Sequence, residues 1–90
     1  MITLYSKPNC PYCEQAKAWL TKNEILFEVL DINSNRAAKD FLVSSGHKTV
    51  PQIYMGTRLL VEGGFSGLSK REPTQLKEEI DAIKQDTESN

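Results

Sequence analysis

The sequence predicts an α/β domain, a mixed four-stranded sheet with helices on both faces. Three observations predict it. Strand-like and helix-like stretches alternate in the order β-α-β-α-β-β-α. The first two strands are joined by a helix, so a right-handed crossover makes them parallel. The last two strands are separated only by Gly56-Thr57, so they form an antiparallel hairpin.

Each element has its own signal. Ile2 to Tyr5 is a short β run. Pro8 and Asn9 mark a loop. Pro11 sits at a first helical position, where a missing N–H costs nothing. From Pro11 to about Asn23 the apolar residues Tyr12, Ala16, Trp19 and Leu20 fall at helical spacing. Ile25 to Ile32 is the second β run, with Leu26, Phe27, Val29, Leu30 and Ile32 apolar. Asn33 or Ser34 is the expected N-cap of helix 2, whose apolar positions are Ala37, Ala38, Phe41 and Leu42. Gly46 suits the position after its end. Gln52 to Met55 and Arg58 to Val61 are strands 3 and 4. Gly63-Gly64 stops the chain, Phe65 to Lys70 is a short helix, and Pro73 opens the last one with Leu76, Ile80 and Ile83 on one face. The expected division is a domain over 1–85 and a frayed polar tail over 86–90.

Ninety residues allow one domain and one modest core. The formal net charge of -1 is no electrostatic footprint for nucleic acid or an anionic membrane. No apolar run approaches the roughly 20 residues a spanning helix needs. The opening residues lack the basic and apolar regions of a signal peptide. The expectation is a cytoplasmic monomer with neither nucleic acid nor membrane as partner. Two cysteines are too few for a secreted disulfide scaffold.

Those two cysteines lie in Lys7-Pro8-Asn9-Cys10-Pro11-Tyr12-Cys13, between a strand and a helix, which is a redox signature. A thiol reacts as its thiolate. Cys10 is placed at a helix N-terminus, where free N–H groups and the helix dipole favour an anion. Lys7 stands three residues before it, and Cys13 one turn after it. Cys10 is therefore the expected nucleophile and Cys13 the resolving thiol, at a spacing that a disulfide can bridge. Two other readings stay open on spacing alone. The pair could be half of a zinc site, but zinc is usually four-coordinate and the only other strong donor is His47. The pair could be inert and buried, but a helix start between Pro8 and Pro11 points to the surface.

Two further stretches could serve a substrate. Thr49-Val50-Pro51 precedes strand 3. Proline cannot donate to the ladder, and a cis Val50–Pro51 bond would turn the Val50 N–H and C=O outwards to pair with an extended peptide. An ordinary trans proline at a strand start is the alternative. In Gly63-Gly64-Phe65-Ser66-Gly67-Leu68, glycines before a helix let a ligand approach the backbone, and the N–H groups and Ser66 hydroxyl can hold a carboxylate. A plain strand-to-helix turn is the alternative there.

With Cys-Pro-Tyr-Cys at 10–13, Lys7 before it, Thr-Val-Pro at 49–51 and Gly-Gly at 63–64, the chain resembles the glutaredoxin family from Ile2 to at least Leu68. The resemblance implies the thioredoxin fold, with strand order 2-1-3-4. It implies glutathione-dependent reduction of protein disulfides and of glutathione mixed disulfides, with glutathione as co-substrate and no metal. Disulfide-containing or glutathionylated proteins are the implied partners, and ribonucleotide reductase is a common client of the family. Carried over by position, Cys10 attacks the substrate disulfide and Cys13 resolves a protein-bound intermediate. Lys7, with Lys48 or Gln52, faces the glycine carboxylate of glutathione. Tyr12 packs beside the tripeptide. Val50 of the Thr49-Val50-Pro51 motif pairs with its cysteine backbone, with Pro51 cis. The turn Gly64-Phe65-Ser66 takes the γ-glutamyl carboxylate.

The chain departs from the family pattern at Gly67, where many members carry an acid that holds the glutathione amino group. It also departs at Leu59-Leu60-Val61-Glu62, which is a residue or two longer than the usual strand, with Glu62 expected to face solvent. Two rival roles remain. One is a glutaredoxin-like electron donor fed by thioredoxin reductase. The other is a cluster-binding role in which two chains share iron and sulfur through Cys10 and glutathione, which Pro11 between the cysteines disfavours.

Overall fold

The structure is a computed structural model that describes residues 2–88, with side chains described through residue 85. Its elements are β1 (Ile2–Ser6), α1 (Pro11–Lys22), β2 (Phe27–Asp31), α2 (Arg36–Ser44), β3 (Gln52–Met55), β4 (Arg58–Val61), α3 (Gly64–Ser69) and α4 (Pro73–Glu88). The sheet order is β2-β1-β3-β4. β1 and β2 are parallel, β3 runs antiparallel to β1, and β4 antiparallel to β3. This is the thioredoxin-type sheet that the resemblance implies.

Alternation along the strands builds two cores. Ile2 and Leu4 of β1 and Ile53 and Met55 of β3 share one face with Ala16 and Leu20 of α1, Leu68 of α3 and Leu76 of α4. Tyr5 and Tyr54 turn to the other face, against Ala38 and Leu42 of α2. Both faces of the sheet are thus covered by helices. A fully buried Leu or Ile of this kind contributes about 1.5–3 kcal/mol, so the larger core under α1, α3 and α4 carries most of the apolar stabilisation.

The structure corrects several local expectations. Tyr12 does not join the apolar face of α1. It is 60% exposed, and Cys13, Ala16 and Leu20 are the buried helical positions instead. β2 is shorter than the apolar run, because Glu24 adopts a left-handed conformation and Ile25 N–H closes the end of α1 on Leu20 O. As an edge strand β2 leaves Val29 exposed, and Leu26 before it is exposed too. The N-cap of α2 is Asn35, whose Oδ1 accepts from Ala38 N–H at 3.0 Å. Asn33 and Ser34, expected there, are spent on a turn around Asp31, with Asn33 N–H donating to Asp31 Oδ1 at 2.8 Å. α3 is one residue earlier than expected.

The length of the segment before the glycines is absorbed within β4. Val61 pairs with Ile53 and Leu59 with Tyr54, so Leu60 is an extra residue in a bulge. Leu60 and Val61 both reach the core under α3, and Glu62 is exposed as expected. α4 opens at Pro73, with Thr74 and Gln75 N–H donating to Glu72 Oε2. Arg71 pairs with Glu79 and ties the α3–α4 connection to the last helix. The backbone of α4 continues to Glu88, into the segment read as a tail; residues 89–90 of that segment lie outside the described residues. Among the described residues no helix is long and apolar enough to cross a membrane.

Strand directions decide where the loops meet. β1 ends at Ser6, and its Tyr5 pairs with Gln52 at the start of antiparallel β3. β4 ends at Val61, opposite Ile53 near that same start. The β1–α1, α2–β3 and β4–α3 connections therefore converge on one edge of the sheet, at the carboxyl end of its central strand β1. Ligands of open α/β sheets bind at such an edge.

Candidate active site

The site begins with a turn. Asn9 takes a left-handed conformation, φ 58°, which Asn tolerates better than most residues, and it swings the chain from the loop into α1. Cys10 follows as the N-cap, with extended backbone, and Pro11 is the first helical residue. The N-cap role normally falls to a side-chain oxygen. Here Cys13 N–H donates to Cys10 Sγ at 3.2 Å. A sulfur that accepts a helix N–H sits where negative charge is favoured.

Cys10 and Cys13 are joined as a disulfide, with Cα atoms 5.2 Å apart. Both cysteines are buried, Cys10 at 7% exposure and Cys13 at 1%. This corrects the expectation of a surface position. The α2–β3 connection approaches Cys10, whose Sγ lies 3.8 Å from Val50 O, while Cys13 belongs to the buried face of α1. Of the two, Cys10 keeps more access, which suits the attacking sulfur. His47, the further zinc donor considered above, has its Nε2 2.6 Å from the Tyr54 hydroxyl. Among the described residues no group of three or more His, Cys, Asp or Glu could hold a metal ion.

The Val50–Pro51 bond is cis. Gln52, expected with Lys7 as an alternative to Lys48 at the glycine carboxylate of glutathione, is buried, and its Nε2 donates to Thr49 O at 3.0 Å. It fixes the Thr49–Pro51 strap from behind. Gly64, at φ +57°, packs close to that strap: a Cβ built there would lie 3.0 Å from Pro51 O. Tyr12 stacks on Phe65, with ring centroids 6.5 Å apart. The result is a cavity of about 340 Å³ bounded by Tyr12, the strap and Gln52 on one side, and by Gly63, Gly64, Phe65 and Ser66 on the other.

The structure thus brings together Tyr12, Thr49, Val50, Pro51, Gln52, Gly64, Phe65 and Ser66. It does not place Lys7 and Lys48 in that cavity. They line a neighbouring groove, which shares only Thr49 and Val50 with it. Gly67 is also more than a missing acid. A Cβ at 67 would overlap the Glu62 carbonyl oxygen, so the close approach of α3 to the end of β4 requires a glycine. That contact is through space, between residues five apart, and no local pattern announces it.

Comparison with known proteins agrees with this geometry. The glutaredoxin family model matches residues 2–60. Glutaredoxin-1 of Gallus gallus is 39% identical over 75 residues, which are 79% of this chain and 72% of that protein. In a buckwheat glutaredoxin–glutathione complex the fold is similar, with a TM-score of 0.63 at 19% identity over 77% of this chain and 64% of that one. NrdH-redoxin of Escherichia coli, a glutaredoxin-like protein with a thioredoxin-like activity profile, gives a TM-score of 0.65 at 21% identity, covering 86% of this chain and 91% of that one. The family match stops before Gly63, so the α3 side of the cavity stands on its own geometry. On the matched 59 residues and the Cys10–Cys13 pair, the chain belongs to the glutaredoxin family and its site carries out thiol–disulfide exchange.

Proposed function

We propose that the chain is a dithiol glutathione-dependent oxidoreductase that reduces protein disulfides and glutathione mixed disulfides. The observation that carries this reading is the cavity beside the disulfide, which joins Tyr12, the Thr49–Gln52 strap and the Gly63–Ser66 turn. Its size and its exposed backbone suit an extended tripeptide with a carboxylate at one end. Glutathione would place its cysteine backbone against Val50 and its γ-glutamyl carboxylate at Gly64 and Ser66. Its glycine end would point towards Lys7 and Lys48, across the shared Thr49–Val50 boundary.

The reaction balances as four thiol–disulfide exchanges, two that reduce the protein disulfide and two that regenerate the dithiol. The Cys10 thiolate attacks one sulfur of a protein disulfide, that S–S bond breaks, and the departing sulfur takes up a proton. The Cys13 thiol then attacks the Cys10 sulfur, releases the second protein thiol and leaves the Cys10–Cys13 disulfide. Glutathione attacks Cys10, which frees Cys13 and leaves glutathione on Cys10. A second glutathione removes it as glutathione disulfide. On a glutathione mixed disulfide, attack by Cys10 leads directly to the last step, and Cys13 is dispensable. A reducing compartment such as the cytoplasm supplies the glutathione.

Cysteine variants test the reading in a glutathione-coupled assay. Cys10→Ser is expected to be inactive on every substrate. Cys13→Ser is expected to keep its activity on small glutathione mixed disulfides and to lose most of it on protein disulfides. Full activity of Cys10→Ser, or equal losses for Cys13→Ser on both substrates, would sink the scheme. One observation favours a second reading, reduction by thioredoxin reductase: Gly67 leaves no side chain to hold the glutathione amino group.

A further inference from the structure

Beyond the Lys7, Lys48, Thr49 and Val50 edge that would meet glutathione, a groove continues along α2 past Ile32, Lys39, Leu42 and Val43. It encloses about 370 Å³ between α2 and the loop that leads into β3. Its floor and wall are apolar, from Ile32, Leu42, Val43 and Val50, and Lys7, Lys39 and Lys48 stand around it. Among the described residues no Asp or Glu lines it. The chain as a whole carries a formal charge of -1, so this concentration of cations is local and not a reflection of overall composition. Val43 is 64% exposed there, an aliphatic side chain facing solvent on a helix whose buried residues are Ala38 and Leu42.

We infer that this groove docks the segment of a disulfide-bearing client protein that flanks its reactive cysteine, and that it selects an apolar residue with acidic neighbours. The groove shares Thr49 and Val50 with the glutathione cavity, and Val50 O lies 3.8 Å from Cys10 Sγ. A client strand that pairs with Val50 to present its disulfide to Cys10 must continue into the groove on one side. Its next inward-facing side chain then meets Leu42 and Val43, because alternate residues of an extended strand point the same way. Carboxylates on either side of that residue meet the lysines. Charge at the rim steers encounter and rejects basic segments more than it adds to affinity. The occupant's identity rests on the thiol–disulfide exchange reading; the groove's preference for acidic and apolar chemistry does not.

The test uses two fluorescent peptides without cysteine, one with Leu and Phe flanked by Asp and Glu, the other its twin with Lys at the acidic positions. Anisotropy is measured with the full oxidised chain, the Lys39→Glu variant and the Val43→Asp variant. Both substitutions lie on exposed positions of α2 and outside the glutathione cavity. The wild type is expected to bind the acidic peptide at least about tenfold more tightly than its twin, and each variant to weaken that binding by about fivefold. Turnover of a small glutathione mixed disulfide is expected to stay within about twofold of wild type in both variants. Equal binding of the two peptides overturns the inference, as does binding that neither variant moves. A loss of small-substrate turnover equal to the loss of peptide binding overturns the groove as a separate site. Selective peptide binding by a chain that does not turn over glutathione mixed disulfides upholds the groove and refutes the glutathione reading.

Discussion

At residue 67 a side chain has nowhere to go, because a Cβ would overlap the Glu62 carbonyl oxygen. Gly67→Asp, which puts an acid at the family position, is therefore expected to destabilise the fold by about 1–3 kcal/mol. It should not improve turnover with glutathione. Thermal unfolding and steady-state kinetics on the same variant check both halves. Gln52 makes the complementary case. Its amide is buried and holds Thr49 O at 3.0 Å, so Gln52→Ala should cost about 1–2 kcal/mol and loosen the strap beside Val50. The expected kinetic result is a higher KM for glutathione mixed disulfides with Cys10 chemistry intact, read from initial rates over a range of substrate. The positions of Cys10 at the start of α1 and of Thr49–Pro51 just before β3 were legible in the sequence, because Pro11 and Pro51 mark those starts within a residue or two. Gly67 and Gln52 act through contacts that form only after β4, α3 and the strap have packed, and no spacing encodes them.

Most elements were legible for the same local reasons. Pro11 and Pro73 mark helix starts, Gly46 follows a helix end, and Gly56-Thr57 joins β3 to β4, all as the residue types require. The misplacements share a cause: a local preference met a competing partner. Asn33 and Ser34 are good caps in isolation, but Asp31 recruits them into its own turn and leaves Asn35 to cap α2. The apolar run at Ile25–Ile32 overstates β2, because Leu20 O at the end of α1 takes the Ile25 N–H. On the α2 face the aromatic cluster could not be read at all. Tyr5 packs with Phe41 and Tyr54, at centroid distances of 5.7 Å each, and His47 caps the Tyr54 hydroxyl. Burial, then the neighbouring Tyr54 and Glu28, pushes the Tyr5 phenol above its ordinary value of 10.0. The sign follows from linkage. Below pH 10 the phenol is neutral in both states and the packing is fully retained. As pH rises through the native value, the unfolded chain loses its proton first, and stability falls. Denaturant unfolding at increasing alkaline pH should show this decline, and Tyr5→Phe should reduce it. A decline unchanged in Tyr5→Phe would assign it to other groups.

For the whole molecule, sheet topology does what no single motif can. The order β2-β1-β3-β4, with β3 antiparallel to β1, carries three connections to one edge, where the disulfide, the strap and the Gly63–Ser66 turn meet. The sequence contained the parallel β1–β2 pair and the β3–β4 hairpin, and the family resemblance supplied their order. What neither contained was the division of the candidate residues into two adjoining spaces, with Lys7 and Lys48 in the lysine-rimmed groove and Tyr12, the strap and Ser66 in the cavity. That division is a property of the packed molecule, in which the two spaces share only Thr49 and Val50. We propose that the cavity serves glutathione. That proposal is tested most directly by supplying the oxidised chain with one reductant at a time and following loss of the Cys10–Cys13 disulfide. Glutathione at cellular excess should reduce it and sustain turnover, with glutathione appearing on Cys10 in the Cys13→Ser variant, while thioredoxin reductase should be slow. Rapid reduction by thioredoxin reductase, with no reduction by glutathione and no adduct on Cys10, would contradict it.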